Sequence, residues 1–217
     1  MGGLLGKIRR RLRWLPRDIG YRWAPRVASA LRKRWVLMRH PHATIRFEGP
    51  VYLGPGFSLH IPDSATFVVG PGVELRRNFR AELGPGARIE IGAGTACTYD
   101  VLMQCSSAIE IGERCLIAQA TAIFDGSHRF RDVDKPVVRQ GYDLRPITIE
   151  DDAAVMAKCT VLNDIGARAF VGANSVVSRP VPPFTVAVGK PASPIDYFGP
   201  DGEGPAELAA SRADGSG

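Results

Sequence analysis

The sequence predicts an all-β domain wound as a parallel β-helix, with a helical arm in front of it. Three observations carry this reading. Aliphatic or aromatic residues recur every six positions through most of the chain. Twenty-four Gly and seventeen Pro among 217 residues are many for a helical protein and fit a turn-rich β architecture. The positive charge is confined to one end: residues 1–40 hold 12 Lys/Arg against the single acid Asp18, and the remainder holds 16 Lys/Arg against 21 Asp/Glu.

The arm, residues 1–43, reads as two short amphipathic helices within residues 3–38. Leu4, Leu5, Ile8, Leu12 and Leu15 share one face, and after Pro16 a second stripe runs through Ala24, Val27, Ala28, Leu31, Trp35 and Met38. Trp14, Tyr21, Trp23 and Trp35 are residues that favour a water–lipid boundary. Two expectations stand side by side. The arm lies in a membrane surface, where each Lys or Arg near anionic lipid contributes about 1 kcal/mol; or it packs on the body or on a partner subunit. A nucleic-acid arm is not expected, because nothing in the body resembles a reader of bases. No run approaches the roughly 18 apolar residues of a spanning helix, and the N-terminus lacks the uncharged apolar segment of a secretory signal. The expected location is therefore the cytoplasm, at the inner face of the cell membrane if the arm binds lipid.

The repeat occupies residues 44–195. Its positions are Val51/Leu53, Leu59/Ile61, Phe67/Val69, Leu75, Ala81/Leu83, Ile89/Ile91, Cys97, Met103, Ile109/Ile111, Ile117 and Ile123, eleven in register. Small residues such as Cys115, Thr121, Ala169 and Ser175 stand four places after an aliphatic. A period of six fits neither a simple alternating strand nor a helix. It fits short strands joined by sharp corners, three per coil, with the aliphatic at the centre of each side and the small residue where sides meet. Gly at Gly54, Gly70, Gly84, Gly92 and Gly112 is expected to supply the positive φ of a corner. No coil is stable alone, so the stack needs caps, and the arm is expected to cover one end. The four cysteines lack metal-site spacing and read as buried, reduced core thiols.

The period halts at Asp125-Gly126-Ser127-His128. Residues 129–146 lack it and read as a loop thrown out of the coil, of the kind that usually carries function. It resumes at Ile147-Thr148-Ile149 and ends near Pro191. The Gly/Ala/Ser/acid-rich tail, residues 196–217, is expected to be disordered.

From about residue 85 to 195 the chain resembles the hexapeptide-repeat acyltransferases, in particular the galactoside, maltose and polysaccharide O-acetyltransferases. The residues that carry the resemblance are the Ile111-Gly112 coil leading to His128, PITIEDD at 146–152, and VGANSVVSRPVPPFTVAVGKPASPI at 171–195. The resemblance implies a left-handed parallel β-helix, a homotrimer with sites between subunits, and acetyl-CoA as co-substrate with no metal required. It implies that His128 is the base that deprotonates an acceptor hydroxyl, with Asp125 orienting the imidazole or bonding the sugar, and that Asp100 binds the acceptor where the family places Asn. On the donor side it implies contacts from Ala173, Ser178 and Arg179, and Met156 falls beside the same cofactor arm; Lys158, Arg168 and Lys190 are candidate partners of the CoA phosphates or else ordinary exposed charges.

The chain also departs from the family pattern. Ala153-Ala154-Val155-Met156 stands where the family has a Trp and a Gly that lets the cofactor's arm approach the backbone. Asn163-Asp164-Ile165-Gly166 is two residues shorter than the family's coil. These departures motivate a rival expectation, a non-catalytic β-helix that keeps the scaffold and has lost the donor site. A zinc enzyme on the same scaffold would need three converging histidines, and His40, His42, His60 and His128 are poorly spaced for that.

Overall fold

The computed structural model describes residues 24–200 together with 204, 205 and 208. The first predicted helix of the arm, and most of the tail predicted to be disordered, lie outside these residues. What is described is the left-handed parallel β-helix expected from the sequence.

The coil has three faces. Face A stacks β1 (Thr44–Phe47), β4 (Thr66–Val69), β7 (Arg88–Ile91), β10 (Ala108–Ile111) and β15 (Ile147–Ile149). Face B stacks β2 (Tyr52–Leu53), β5 (Glu74–Leu75), β8 (Ala96–Cys97), β11 (Leu116–Ile117), β16 (Ala154–Val155), β18 (Phe170–Val171), β20 (Thr185–Gly189) and β21 (Ala192–Tyr197). Face C stacks β3 (Ser58–His60), β6 (Arg80–Leu83), β9 (Leu102–Cys105), β12 (Ala122–Phe124), β17 (Thr160–Val161) and β19 (Val176–Val177). The strands pair in parallel, in register along each face: Phe67, Ile89, Ile109 and Ile147 follow one another on face A. Ile111, Ile117 and Ile123, six apart, therefore point inward from faces A, B and C in turn, and all three are buried. The small residues sit inside the corners, where Thr95, Cys115, Thr121, Ala169 and Ser175 are buried.

Two expectations need correction. The glycines after the aliphatic residues do not supply the positive φ. They allow neighbouring coils to touch: a Cβ on Gly92 would lie 2.5 Å from the carbonyl carbon of Gly112. At the corner between faces B and C the left-handed conformation belongs to Gly56 in the first coil, with φ of 75°, and in the later coils to Asn78, Asp100, Ala120, Lys158 and Asn174, with φ from 57° to 61°. Each of the non-glycine residues offsets that strain by donating its N–H to the coil before it, as Asp100 does to Arg77 O at 2.9 Å and Lys158 to Gln119 O at 2.8 Å. The second correction concerns the shortening at Asn163-Asp164, which occurs twice. The step from face C to face A is four residues both at Val161–Ile165 and at Val177–Val181. Face A ends there as single-residue bridges, Ile149 to Ile165 to Val181.

The ends are capped differently. At the N-terminal end helix α1 (Ala24–Arg39) lies on β2. The Ser29 hydroxyl accepts from Leu53 N at 2.8 Å, Arg32 donates to Leu53 O at 2.6 Å, and Val36 enters the core, so the free edge of β2 is covered. At the other end β20 turns back into β21, an antiparallel pair that runs on to Tyr197. The ordered fold thus continues past residue 195, the boundary expected from the repeat. All four cysteines are free and buried in the prism, as expected.

Candidate active site

At the corner from face C to face A, the other coils cross in two to five residues, as Ser106-Ser107 do between β9 and β10. After β12 the chain instead leaves the prism. It does so as an antiparallel ladder, β13 (Gly126–His128) against β14 (Tyr142–Leu144), so residues 129–146 are an ordered hairpin and not an irregular loop. Its tip is knitted by Gln140, which accepts from Asp132 N at 3.0 Å and donates to Asp132 O and Lys135 O at 2.8 and 2.7 Å. Partners that are directly opposite on a ladder share a face. His128 and Tyr142 are such a pair, with ring centroids 4.3 Å apart and planes inclined at 39°. The Arg129–Asp143 ion pair, 2.6 Å, lies on the opposite face of the ladder. His128 is exposed, and its ring is held by the phenol of Tyr142. The sequence reading missed Tyr142, because cross-strand pairing with residue 128 is visible only once the hairpin register is known.

Asp125 does not orient His128. Its side chain is 2% exposed and turned into the coil below, where Oδ1 accepts from Ser106 N at 2.8 Å and Oδ2 from Ser107 N at 2.6 Å. The Cys105 thiol donates to Oδ2 at 3.3 Å. Burial, then the charge of Asp125, pushes the Cys105 thiol up to about 12, so it stays protonated and remains a donor. The carboxylate thus satisfies the amide groups of the neighbouring corner at the point where the chain departs.

The remaining predicted residues fall into two groups. Asp100, Met156, Lys158 and Ala173 lie on the corner between faces B and C. Lys190 joins them at the turn after β20, where Gly189 N donates to Ser175 Oγ at 3.0 Å. Asp100 is exposed, and its Oδ1 accepts from Asn78 Nδ2 at 2.8 Å. Met156 is half-buried, its carbonyl accepting from Thr121 Oγ1 at 3.1 Å. Ser178 and Arg179 lie on the corner between faces C and A, with the His128 hairpin. Asn163 holds this corner by donating to Ser178 O at 3.1 Å. The width of face C separates the groups: the five steps from Lys158 to Asn163 span about 17 Å of extended chain. Arg168, with φ of 59°, is on the third corner, away from both.

The two departures noted in the sequence are likewise on different corners. Met156 is on the Asp100 corner. The shortened Asn163-Asp164 corner lies next to the root of the hairpin. Asp164 Oδ1 accepts from Thr148 N at 2.9 Å, and Arg145 at the base of the hairpin reaches Oδ2 at 3.3 Å. A groove of about 650 Å³ along face A is lined by Glu48, Glu90, Glu110, Glu113, Glu150 and Asp151. Glu90 and Glu110 pair with Arg88, and Glu113 and Asp151 with Arg114, so the groove stays acidic on balance and is a poor place for the phosphates of an acyl-CoA. Among the described residues no three His, Cys, Asp or Glu side chains converge as a metal-binding group.

No protein-family model matches the chain. A protein of Mycobacterium tuberculosis named as a probable acetyltransferase is 31% identical over 197 residues, which are 85% of this chain and 64% of that relative. The chain thus spans less than two thirds of the length of the curated relative it matches. Among solved structures, a hexapeptide-repeat acetyltransferase of Vibrio cholerae in complex with acetyl-CoA superposes with a TM-score of 0.53 at 25% identity, over 78% of this chain and 79% of that one. A maltose O-acetyltransferase of Clostridium difficile shares the fold, with a TM-score of 0.53 at 22% identity, over 78% and 76% of the two chains.

Proposed function

The fold being that of the hexapeptide-repeat acetyltransferases, we propose that this chain transfers an acetyl group from acetyl-CoA to a sugar hydroxyl of a glycan or glycolipid precursor, with His128 as general base. The observation that carries this reading is the placement of His128. It is exposed, packed at a tilt against Tyr142, and held on a short ladder at the corner where the chain leaves the coil.

In the proposed reaction neutral His128 takes the proton of the acceptor hydroxyl as its oxygen attacks the thioester carbonyl. The new C–O bond forms, the C–S bond breaks, and the proton leaves with the CoA thiol. An alcohol does not ionise at neutral pH, so a positioned base contributes about 10²–10⁴-fold. Holding the two substrates together lowers the barrier further without a covalent intermediate.

The reading requires a second copy. One chain places His128, Ser178 and Arg179 on one corner and Asp100, Lys158 and Lys190 on another. A homotrimer in which these two corners face each other across a seam would complete both the acceptor and the donor site. Met156 and Ala173 would line that seam on the Asp100 side.

The same separation of residues favours a second reading, a non-catalytic β-helix. Titration of the protein with acetyl-CoA, followed by release of free CoA thiol in the presence of glycan acceptors, tests the choice. Saturable binding with turnover supports the transferase, and no binding at millimolar acetyl-CoA supports the second reading.

A further inference from the structure

Helix α1 shows an apolar face that the β-helix does not use. Its rotation is fixed from within: Ser29 and Arg32 hold both polar groups of Leu53, and Val36 is 1% exposed. The opposite pole then carries Val27, Leu31 and Met38, at 58%, 64% and 70% exposure. Spacings of four and seven put them on one line, about 16 Å long at ~1.5 Å per residue. Trp35 flanks the line at 53% exposure, with the Arg39 guanidinium 5.4 Å from its ring centre. The helix cannot roll this stripe inward without uncovering the edge of β2.

The charge around the stripe has one sign. Arg34 stands in the stripe itself, between Leu31 and Met38, Arg26, Lys33 and Arg39 stand elsewhere on the helix, and α1 contains no Asp or Glu. Residues 1–23 directly before it add Lys7, Arg9, Arg10, Arg11, Arg13, Arg17 and Arg22 against Asp18, around an apolar stripe of their own. Were the two stripes to cover each other, 12 cations would be gathered around one acid. A surface that is apolar beneath and anionic on top meets both features together, because the apolar side chains enter the acyl region while the cations meet the headgroups. We propose that the exposed face of α1 docks this protein on an anionic lipid bilayer, with Val27, Leu31, Trp35 and Met38 inserted. This holds whatever reaction the β-helix carries out. No described helix is long and apolar enough to cross a membrane, and the geometry is that of a helix lying in the surface.

The test is co-sedimentation of the full chain with phosphatidylcholine vesicles with and without phosphatidylglycerol, at low and high salt, for the wild type and the Leu31→Glu/Met38→Glu variant. Both substituted side chains point away from the fold, and circular dichroism and light scattering check that the variant stays folded. The expected result is binding to phosphatidylglycerol vesicles alone, weakened by salt, with the variant's affinity lower by about tenfold or more. Failure of the wild type to bind at low salt overturns the proposal. So does equal binding by the variant, which would assign binding to the preceding cationic residues alone. A change in the variant's oligomeric state overturns it as well, because the stripe would then be a contact between copies. Protection of a Met38→Cys thiol from a soluble maleimide without vesicles also overturns it, since residues 1–23 or another protein copy would already cover the face.

Discussion

The imidazole of His128 and the phenol ring of Tyr142 face each other across one rung of the β13–β14 ladder, 4.3 Å between centroids. This contact fixes the imidazole in a hairpin whose remaining bonds tie its two strands and its tip. Tyr142 is therefore a positioning residue. Tyr142→Ala is expected to lower kcat about tenfold with little change in the KM for acetyl-CoA, whereas Tyr142→Phe keeps the ring and most of the rate. Equal losses in both variants would point to the hydroxyl instead.

Asp125 separates stability from catalysis. Its carboxylate holds the amide groups of Ser106 and Ser107 in a buried corner. Asp125→Ala leaves those donors unpaired and is expected to cost about 2–4 kcal/mol in denaturant unfolding. The proton acceptor at His128 would be untouched, so the folded variant should retain most of its turnover at low temperature. A loss of activity without a loss of stability would restore Asp125 to the chemistry.

Stability should also fall on mild acidification. His40 is buried where α1 meets the β-helix, and burial, then the nearby His42 and Arg39, hold its imidazole below the ordinary 6.5. Above 6.5 the group is neutral whether folded or unfolded and contributes no slope. As pH drops below 6.5 the unfolded chain binds the proton first, so unfolding becomes easier until the folded pKa is passed. Thermal melts between pH 7 and 5 should show this decline, and His40→Gln should flatten it.

Much of the fold can be read from the sequence because a β-helix repeats its requirements. Ile111, Ile117 and Ile123 each fill the same place in successive faces, so spacing alone reports the winding. The hairpin could not be read this way. Gly126-Ser127-His128 and Tyr142-Asp143-Leu144 are three residues each and stand clear of the core, too short for an alternation to mark them as a pair of strands. The second four-residue corner was hidden because Val181, four places after Val177, also fits the corner position that small residues take in the repeat, whereas it occupies a face A bridge. His128 was found as the residue where the period stops. The separation of Asp100 and Lys158 from His128 was not legible, since a period gives the contents of a corner and not which corner meets another copy.

The seam makes a prediction that no single-chain site would share. Asp100 and His128 lie on different corners, so a complete site would draw on two copies. Mixing inactive Asp100→Ala and His128→Ala subunits, unfolded together and refolded in equal amounts, should restore about a quarter of the wild-type sites. A site contained in one chain would stay inactive in every mixture.

The central claim is that His128 is the base for acetyl transfer to a hydroxyl, and its most direct test is the His128→Ala variant. Release of CoA thiol from acetyl-CoA with a competent glycan acceptor should fall by about 10²–10⁴-fold, while circular dichroism and oligomeric state match the wild type. Undiminished turnover in that folded variant would contradict the account.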